Sequence, residues 1–357
     1  AMASLSLGAF RLIAPLARGA MGEVWRGVHD ATGLPVAVKV LPAEMAADVA
    51  TRRQLTQEIR AVAGLDHPHI IAVLDAGATS AEASAASDGR MKEGAPWVAM
   101  ELASGGSLRE HRPSDFAQLK AALEEMLDAL AHAHGRGLVH RDLKPANLLY
   151  GARRDARPGL KITDFGLAMA MDETLVGDAS AGTPAYMAPE QLLGQAHEVG
   201  PWTDLYAVGC VGWWAATGRA PFARDTTLAT ARATLSDELP PFVPRFGCPP
   251  ELEDWLRVLL QRAPGQRPRR AADALAALRP IEELLLGDLD EEDEQTASFG
   301  RPVVSPDEPT QHGFDFDEEL LDAPLAGVGD AVPSSVIGPP PTCAPWQQAN
   351  LARPAAL

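Results

Sequence analysis

The sequence predicts an α+β protein in which a small β-rich lobe precedes a larger helical lobe. Short apolar runs bounded by turn residues occupy residues 10–42, a pattern typical of strands. Helical periodicity dominates from Asp115 to about residue 280. We therefore place the first lobe at about residues 8–102 and the second at about 103–280. Ligands usually bind in the cleft that two such lobes leave.

The first lobe contains several β-type segments and one helix. The expected strands lie at residues 10–13, 23–28, 36–41, 70–74 and 97–100. Thr32 and Gly33 mark a turn before the third strand. Residues 48–64 carry apolar side chains on one helical face. Residues 79–95 are rich in Ala, Ser and Gly without an apolar period, so we expect a mobile insertion there.

The second lobe begins with a long helix from Asp115 to Gly135, which ends at a glycine. Further helices are expected at residues 202–217, 251–262 and 270–278. The chain contains no repeat at a fixed period.

Charge and cysteine content exclude several classes of protein. Of the formal net charge of −17, residues 281–357 carry −14, from 16 acidic residues and two arginines. The remaining residues are nearly neutral, so no basic face favours nucleic acid. Three distant cysteines form no ligand spacing and fit a reducing cytoplasm. We find no signal peptide and no apolar run long enough for a membrane span.

The chemistry is concentrated in residues 140–147 and in Asp164, which is followed by Phe165 and Gly166. Asp142 can accept the proton of an attacking hydroxyl, and Lys144 can neutralise charge on a phosphoryl group in transfer. Asn147 and Asp164 offer the oxygen ligands that magnesium prefers. These residue types at this spacing point to phosphoryl transfer.

Further motifs follow the order and spacing of one family. They lie at residues 16–24, 36–39, 58, 67–71, 182–190, 203–209 and 267. With these motifs the chain resembles the eukaryotic-like (Hanks-type) protein kinases, and the bacterial serine/threonine kinases most closely. The resemblance covers about residues 8–280 and implies the two-lobed protein-kinase fold. It also implies that MgATP, with Mn²⁺ as an alternative metal, phosphorylates Ser and Thr of protein substrates.

The resemblance implies a role for each site residue. Lys39, paired with Glu58, is expected to contact the α- and β-phosphates. Val24, Ala37 and Leu149 should flank adenine, Met100 should lie behind it, and the backbone of Glu101 and Leu102 should bind its edge. The residues expected to surround the nucleotide are therefore Leu16, Gly19, Gly22, Val24, Ala37, Lys39, Met100, Glu101, Leu102 and Leu149. The family usually has another glycine at the position of Ala17.

Regulation is expected in the segment from Asp164 to Glu190. Arg141, next to the catalytic acid, is expected to receive a phosphate from this segment. The candidate residues are Thr174, Ser180 and Thr183. We expect Thr183 to bind Asp142 and Lys144, which leaves Thr174 or Ser180 for autophosphorylation.

Three alternatives remain open at this stage. The first concerns His140, which has a structural role or serves as a general base. The second is a pseudokinase-like scaffold, although Lys39, Asp142, Asn147 and Asp164 are all present. The third concerns the tail, residues 281–357, which is expected to be disordered from 287. Its acidic segments around Thr296 and Thr310 resemble docking peptides for a phosphopeptide-reading partner, or the tail only increases solubility.

Overall fold

The computed structural model describes residues 5–19, 22–46, 49–165 and 184–282. These residues form two compact units. The first unit comprises residues up to Asp66 together with Ile71–Ser104, and the second comprises His67–Ile70 together with residues from Gly105 onward. The expected lobe boundary at residue 102 lies close to this division. The assignment of His67–Ile70 to the second unit was not expected.

The first unit is built on a six-stranded antiparallel sheet with strand order β1-β2-β3-β4-β6-β5. The strands are β1 (Ser6–Leu7), β2 (Phe10–Gly19), β3 (Gly22–His29), β4 (Pro35–Val40), β5 (Val73–Ala78) and β6 (Pro96–Glu101). Helix α1 (Val49–Ala63) follows the first four strands. The apolar runs that predicted strands and the periodicity that predicted α1 therefore correspond to real elements. However, β2 extends six residues beyond the expected 10–13, and β1 was not predicted.

The expectation of a mobile insertion at residues 79–95 is wrong. Helix α2 (Ala81–Ala86) begins at Ser80, whose hydroxyl accepts a hydrogen bond from the N–H of Ala83. Ala83 and Met91 are buried in an apolar cluster with Trp25 and Trp97. The apolar residues of the insertion are too few and too widely spaced to show a period, and only the sheet provides the surface that they cover.

The second unit is mainly helical. Its helices are α3 (Phe116–His134), α4 (Pro189–Leu192), α5 (Pro201–Thr217), α6 (Thr227–Ser236), α7 (Pro250–Leu259) and α8 (Ala271–Leu278). A two-stranded sheet joins β7 (Leu148–Gly151) to β8 (Gly159–Ile162). The side chain of Asp115 caps α3, and Gly218 ends α5 with a φ of 95°, a conformation that glycine adopts readily. Helix α6 was not predicted, because its threonines and alanines form no apolar stripe.

The buried helix α5 accounts for the longest apolar run of the sequence. Of its 17 residues, 14 are buried. Within the described ranges, no helix is both long enough and apolar enough to cross a bilayer.

The short segment His67–Ile70 is held by the second unit. The N–H of Ile162 donates to the carbonyl of His69 at 2.9 Å, and Lys161 donates to the carbonyl of Pro68 at 2.6 Å. Ile70 forms an isolated parallel bridge with Ile162. These contacts explain why the strand expected at 70–74 begins only at Val73.

Candidate active site

The loop expected to cover phosphate lies at the end of the β2–β3 hairpin. Gly19 and Gly22 are paired across the two strands. Gly22 has a φ of 113°, and a β-carbon there would collide with the carbonyl oxygen of Val40. Glycine is therefore required at position 22 for backbone reasons alone. Ala17, the departure from the family pattern, pairs with Val24 in the regular part of the hairpin.

Lys39 and Glu58 both belong to the first unit. Lys39 lies in β4 opposite Val24 of β3 and is only 5% exposed. Glu58 lies in α1, where Gln54 donates to its carboxylate at 3.4 Å. Burial of an ammonium group without compensation is costly, so the position of Lys39 suits a group that meets negative charge. Their pairing stays a prediction.

Most of the residues expected around adenine share one apolar cluster. Ala37 and Met100 are opposite each other in β4 and β6, and both are buried with Ile71 and Val98. Val24 and Leu102, which are partly buried, pack against the same cluster. Leu149 belongs to the second unit, in β7, and Leu16 lies in β2. The structure thus brings four of the six expected apolar residues together within one unit.

The backbone of Glu101 is less available than the sequence suggested. Its N–H donates to the carbonyl of Ala72 at 2.9 Å. Its side chain accepts a hydrogen bond from the N–H of Ala72 at 3.1 Å. The Glu101 N–H is therefore already bonded within the sheet, so a backbone donor to the base must come from Leu102 or a later residue.

The loop at residues 140–147 of the second unit, predicted to be the catalytic loop, brings three predicted residues into direct contact. Lys144 Nζ lies 2.8 Å from Asp142 Oδ2. Asn147 Nδ2 donates to the same oxygen at 3.1 Å and to the backbone carbonyl of Asp142 at 2.7 Å. The two contacts with the carboxylate, from Lys144 and from Asn147, are both made to Oδ2. In the described part of the chain, Oδ1 of Asp142 has no donor and remains available to accept a proton.

His140 has a structural role in this geometry. It is fully buried, and its Nε2 lies 2.8 Å from the carbonyl oxygen of Thr163. Its Nδ1 accepts a hydrogen bond from the N–H of Asp142, so the Nε2 must carry the proton. Phe165 packs edge-on against the imidazole, with ring centroids 4.7 Å apart. Because both nitrogens are occupied, His140 is not free to act as a general base.

Asp204, in α5, holds the backbone of the catalytic loop. Its carboxylate accepts hydrogen bonds of 2.8 Å from the N–H groups of His140 and Arg141. His134 Nε2 lies 2.8 Å from the same carboxylate. Burial opposes the charged form, but the hydrogen bonds and charges of His134 and His140 prevail and lower the pKa of Asp204. The sequence indicates only a structural or solvated His134, because a histidine near the end of a helix carries no distinctive signal, and the structure shows the structural role.

Asn147 and Asp164, the residues expected to hold metal, are connected through a backbone hydrogen bond made by the neighbour of Asp164. The N–H of Thr163, the neighbour of Asp164, donates to the carbonyl of Asn147 at 3.0 Å. Asp164 has a φ of 64°, and a non-glycine residue in this region is under strain that clusters at functional sites. No group of three His, Cys, Asp or Glu that could hold a metal occurs among the described residues. Magnesium fits this sparse donor set, because it is usually held by one or two protein ligands plus phosphates and water.

Arg141 also has a positive φ, of 68°. Its carbonyl accepts a hydrogen bond from Gln191 of α4 at 2.7 Å, which ties α4 to the catalytic loop. Its buried Nε has no hydrogen-bond partner in the ranges that the structure describes. Thr174, Ser180 and Thr183 lie outside the described residues, and so does the tail from residue 283.

A buried ion pair anchors α4 to the rest of the second unit. Arg267 donates to both carboxylate oxygens of Glu190, at 2.8 and 2.9 Å. The two side chains are 0% and 1% exposed, and Thr203 donates to Glu190 as well. The pair is therefore a buried salt bridge and not a surface one.

Comparison with known proteins agrees with this geometry. The family model described as "Protein kinase domain" matches residues 10–277. The serine/threonine-protein kinase PknA of Mycobacterium tuberculosis is 37% identical over 282 residues, which cover 76% of this chain and 62% of PknA.

Two relatives from Myxococcus xanthus are similarly close. The serine/threonine-protein kinase Pkn1 is 34% identical over 85% of this chain and 43% of its own length. The serine/threonine-protein kinase pkn3 is 32% identical over 76% of this chain and 50% of its own length. The chain therefore spans roughly half the length of these curated relatives.

Proposed function

Because the chain belongs to the protein kinase family, we propose that it transfers the γ-phosphate of ATP to Ser and Thr hydroxyls of proteins. The observation that carries this proposal is the convergence of Lys144 and Asn147 on one carboxylate oxygen of Asp142. An acid held in this way has one oxygen fixed and the other free for the substrate.

Asp142 is the proposed general base. Its Oδ1 accepts the proton of the attacking Ser or Thr hydroxyl, while Lys144 and Asn147 fix the orientation of the carboxylate through Oδ2. The ammonium group of Lys144 also offsets the negative charge that develops on the phosphoryl oxygens.

The remaining residues bind and orient the phosphate donor. Asn147 and Asp164 are the proposed ligands of Mg²⁺, which neutralises phosphate charge when it is bound. Mn²⁺ suits the same oxygen donors. Lys39, supported by Glu58, binds the α- and β-phosphates, and the loop between Gly19 and Gly22 covers them. Val24, Ala37, Met100 and Leu149 contact the adenine.

A pseudokinase-like scaffold is the second candidate. Such a protein keeps the fold while losing a group that transfer requires. Transfer requires four side chains, and all are present: Lys39, Asp142, Asn147 and Asp164. The contacts of Asp142 with Lys144 and Asn147 are those that proton acceptance needs. This observation favours an active enzyme.

The test is incubation of the full chain with MgATP and a pool of Ser- and Thr-containing peptides of both charge signs, followed by mass spectrometry. We expect added phosphate on the chain, on peptides or on both. The Asp142→Asn variant keeps the size of the side chain but loses the base, so its rate should fall by about 10²–10⁴-fold. If the parent and this variant are equally inactive while both bind ATP, the scaffold function is correct instead.

A further inference from the structure

Three arginines of the second unit form a positively charged surface, called here the arginine surface. Arg109 and Arg112 lie in the connection between β6 and α3, and Arg245 lies in the connection between α6 and α7. Arg109 is exposed and Arg112 is half-buried. Arg245 lies more than 130 residues after Arg109 and Arg112 in the chain, so no sequence pattern groups the three.

Two of these guanidinium groups are held in place by uncharged partners. Arg112 stacks on the ring of Trp214, with its Cζ 4.4 Å from the ring centroid. Arg245 donates to the carbonyls of Pro113 and Ala215 at 2.9 and 3.0 Å. Both arginines approach Gly218, where an added β-carbon would lie 3.3 Å from Arg112 and 3.4 Å from Arg245. The cations are therefore fixed close to one another.

The arginine surface lacks its own counter-charge. No carboxylate forms an ion pair with Arg109, Arg112 or Arg245 within the described segments. The carboxylate of the adjacent Glu110 is instead bonded to the N–H and hydroxyl of Ser107. Burial, and then repulsion from Arg245, lowers the pKa of Arg112. Like charges held together without a counter-ion cost free energy that a bound anion recovers.

The arginine surface lies beside the segment that leads into α4. Tyr186 is mostly buried, which raises its pKa, and the nearby charges of Arg109 and Arg112 partly oppose that rise. Five residues further on, Gln191 binds the carbonyl of Arg141 next to the catalytic acid. The arginine surface therefore lies beside the chain segment that contacts Arg141, the residue before Asp142.

We propose that the arginine surface selects substrates in which acidic residues flank the acceptor Ser or Thr. This inference rests on the proposed kinase function and adds the substrate class to it. Guanidinium groups bind carboxylates with paired N–H donors, and the fixed positions of Arg112 and Arg245 reduce the entropy lost on binding. Arg109, Arg112 and Arg245 are the proposed specificity-determining residues.

One acidic acceptor segment lies in the same chain. Residues 288–294 contain six acidic side chains and are followed by Thr296 and Ser298. The complementary charge makes this segment a suitable probe, and we expect the enzyme to phosphorylate it.

The experiment compares two peptides as substrates of the full chain. The first is the natural sequence of residues 288–300, and the second has every Asp replaced by Asn and every Glu by Gln. We expect kcat/KM to be about tenfold higher or more for the acidic peptide, mainly through a lower KM. The difference should shrink at about 0.5 M salt, because salt screens exposed charges.

Variants then assign the preference to particular residues. Arg109→Ala should reduce kcat/KM for the acidic peptide and leave the neutral peptide unchanged, since Arg109 is exposed and makes no protein hydrogen bond among the described residues. Arg109→Glu should reduce it further, and Arg109→Lys should largely restore it. Arg112→Gln should have the same effect as Arg109→Ala. Because this variant also loses the stacking on Trp214, its kinetics are interpreted only if its Tm equals that of the parent. Arg153→Ala removes another exposed arginine and is the matched control.

Each outcome has a distinct meaning. Equal use of the two peptides, or a preference that survives Arg109→Glu and Arg112→Gln, overturns the inference. Self-phosphorylation of the chain without use of either peptide also overturns it, while the proposed function stands. Absence of any phosphate transfer defeats the proposed function itself, together with the inference.

Discussion

The carboxylate of Asp204 accepts a hydrogen bond of 2.8 Å from the backbone N–H of Arg141, 63 residues earlier in the chain. It binds the N–H of His140 in the same way. Arg141 has a φ of 68°, which only a few per cent of non-glycine residues adopt. We infer that Asp204 compensates this backbone strain and so positions Asp142, the next residue.

The first prediction follows from that relationship. In Asp204→Asn, an amide nitrogen replaces one of two acceptor oxygens and faces N–H donors in a fully buried site. We expect a loss of roughly 3 kcal/mol in the free energy of unfolding, measured in urea. Asp237→Asn breaks an exposed pair with Arg224 and weakens a hydrogen bond of 3.4 Å from Ser236, and should cost less than about 1 kcal/mol. Equal stability of the two variants would contradict the anchoring role.

The second prediction concerns acid. The pKa of Asp204 lies below its ordinary value of 3.8 in the folded chain. Such a carboxyl stabilises the fold at pH values above its unfolded pKa, and this contribution is lost as the pH falls through the folded value. Stability of the parent, followed by urea unfolding, should therefore drop in acid more steeply than that of Asp204→Asn. Parallel curves for the two proteins would show that Asp204 does not titrate in this way.

The third prediction compares two ion pairs of one chemical type. Glu190→Gln leaves the Arg267 guanidinium buried without its counter-charge and should cost about 3–5 kcal/mol. Glu253→Gln breaks a half-buried i,i+4 pair with Arg257, made at 2.6 Å, in which both side chains remain about one-third exposed, and should cost only about 1 kcal/mol. Chemical denaturation of both variants measures the difference. A small effect at Glu190 would mean that the buried pair contributes little to holding α4.

The fourth prediction tests the insertion. Met91 is 2% exposed within the cluster that covers the sheet. Met91→Ala should destabilise the chain by about 2–5 kcal/mol, because it removes buried apolar contacts and leaves a cavity. Leu228→Ala removes a side chain that is 80% exposed and should change stability by less than about 0.5 kcal/mol. Thermal unfolding distinguishes the two, and a neutral Met91→Ala would support a mobile insertion after all.

The fifth prediction addresses regulation. Arg141 Nε is buried and has no hydrogen-bond partner among the described residues, as expected for a cation that awaits a phosphate. The double variant Thr174→Ala/Ser180→Ala should lower kcat after preincubation with MgATP by about tenfold or more. Phosphopeptide mapping of the parent should find the modified residue at one of these two positions. Full activity of the double variant would rule out this mode of activation.

Much of the fold was predictable because local patterns are strong there. Helix α3 has a capping aspartate, an apolar stripe and a terminal glycine, and its predicted limits agree with Phe116–His134 to one residue. The insertion at 79–95 and α6 were missed for the opposite reason. Their burial depends on surfaces supplied by distant strands and helices, and nothing in their own composition announces it.

The sequence by itself indicated the family and predicted the catalytic residues and their order, since phosphoryl transfer requires particular side chains at short spacings within residues 140–147. The tertiary structure decided what those side chains bind. It placed two donors on one oxygen of Asp142, occupied both nitrogens of His140 and brought Arg112 and Arg245 together beside Gly218. Contacts between residues far apart in the chain depend on packing of whole elements, and spacing along the sequence does not encode them.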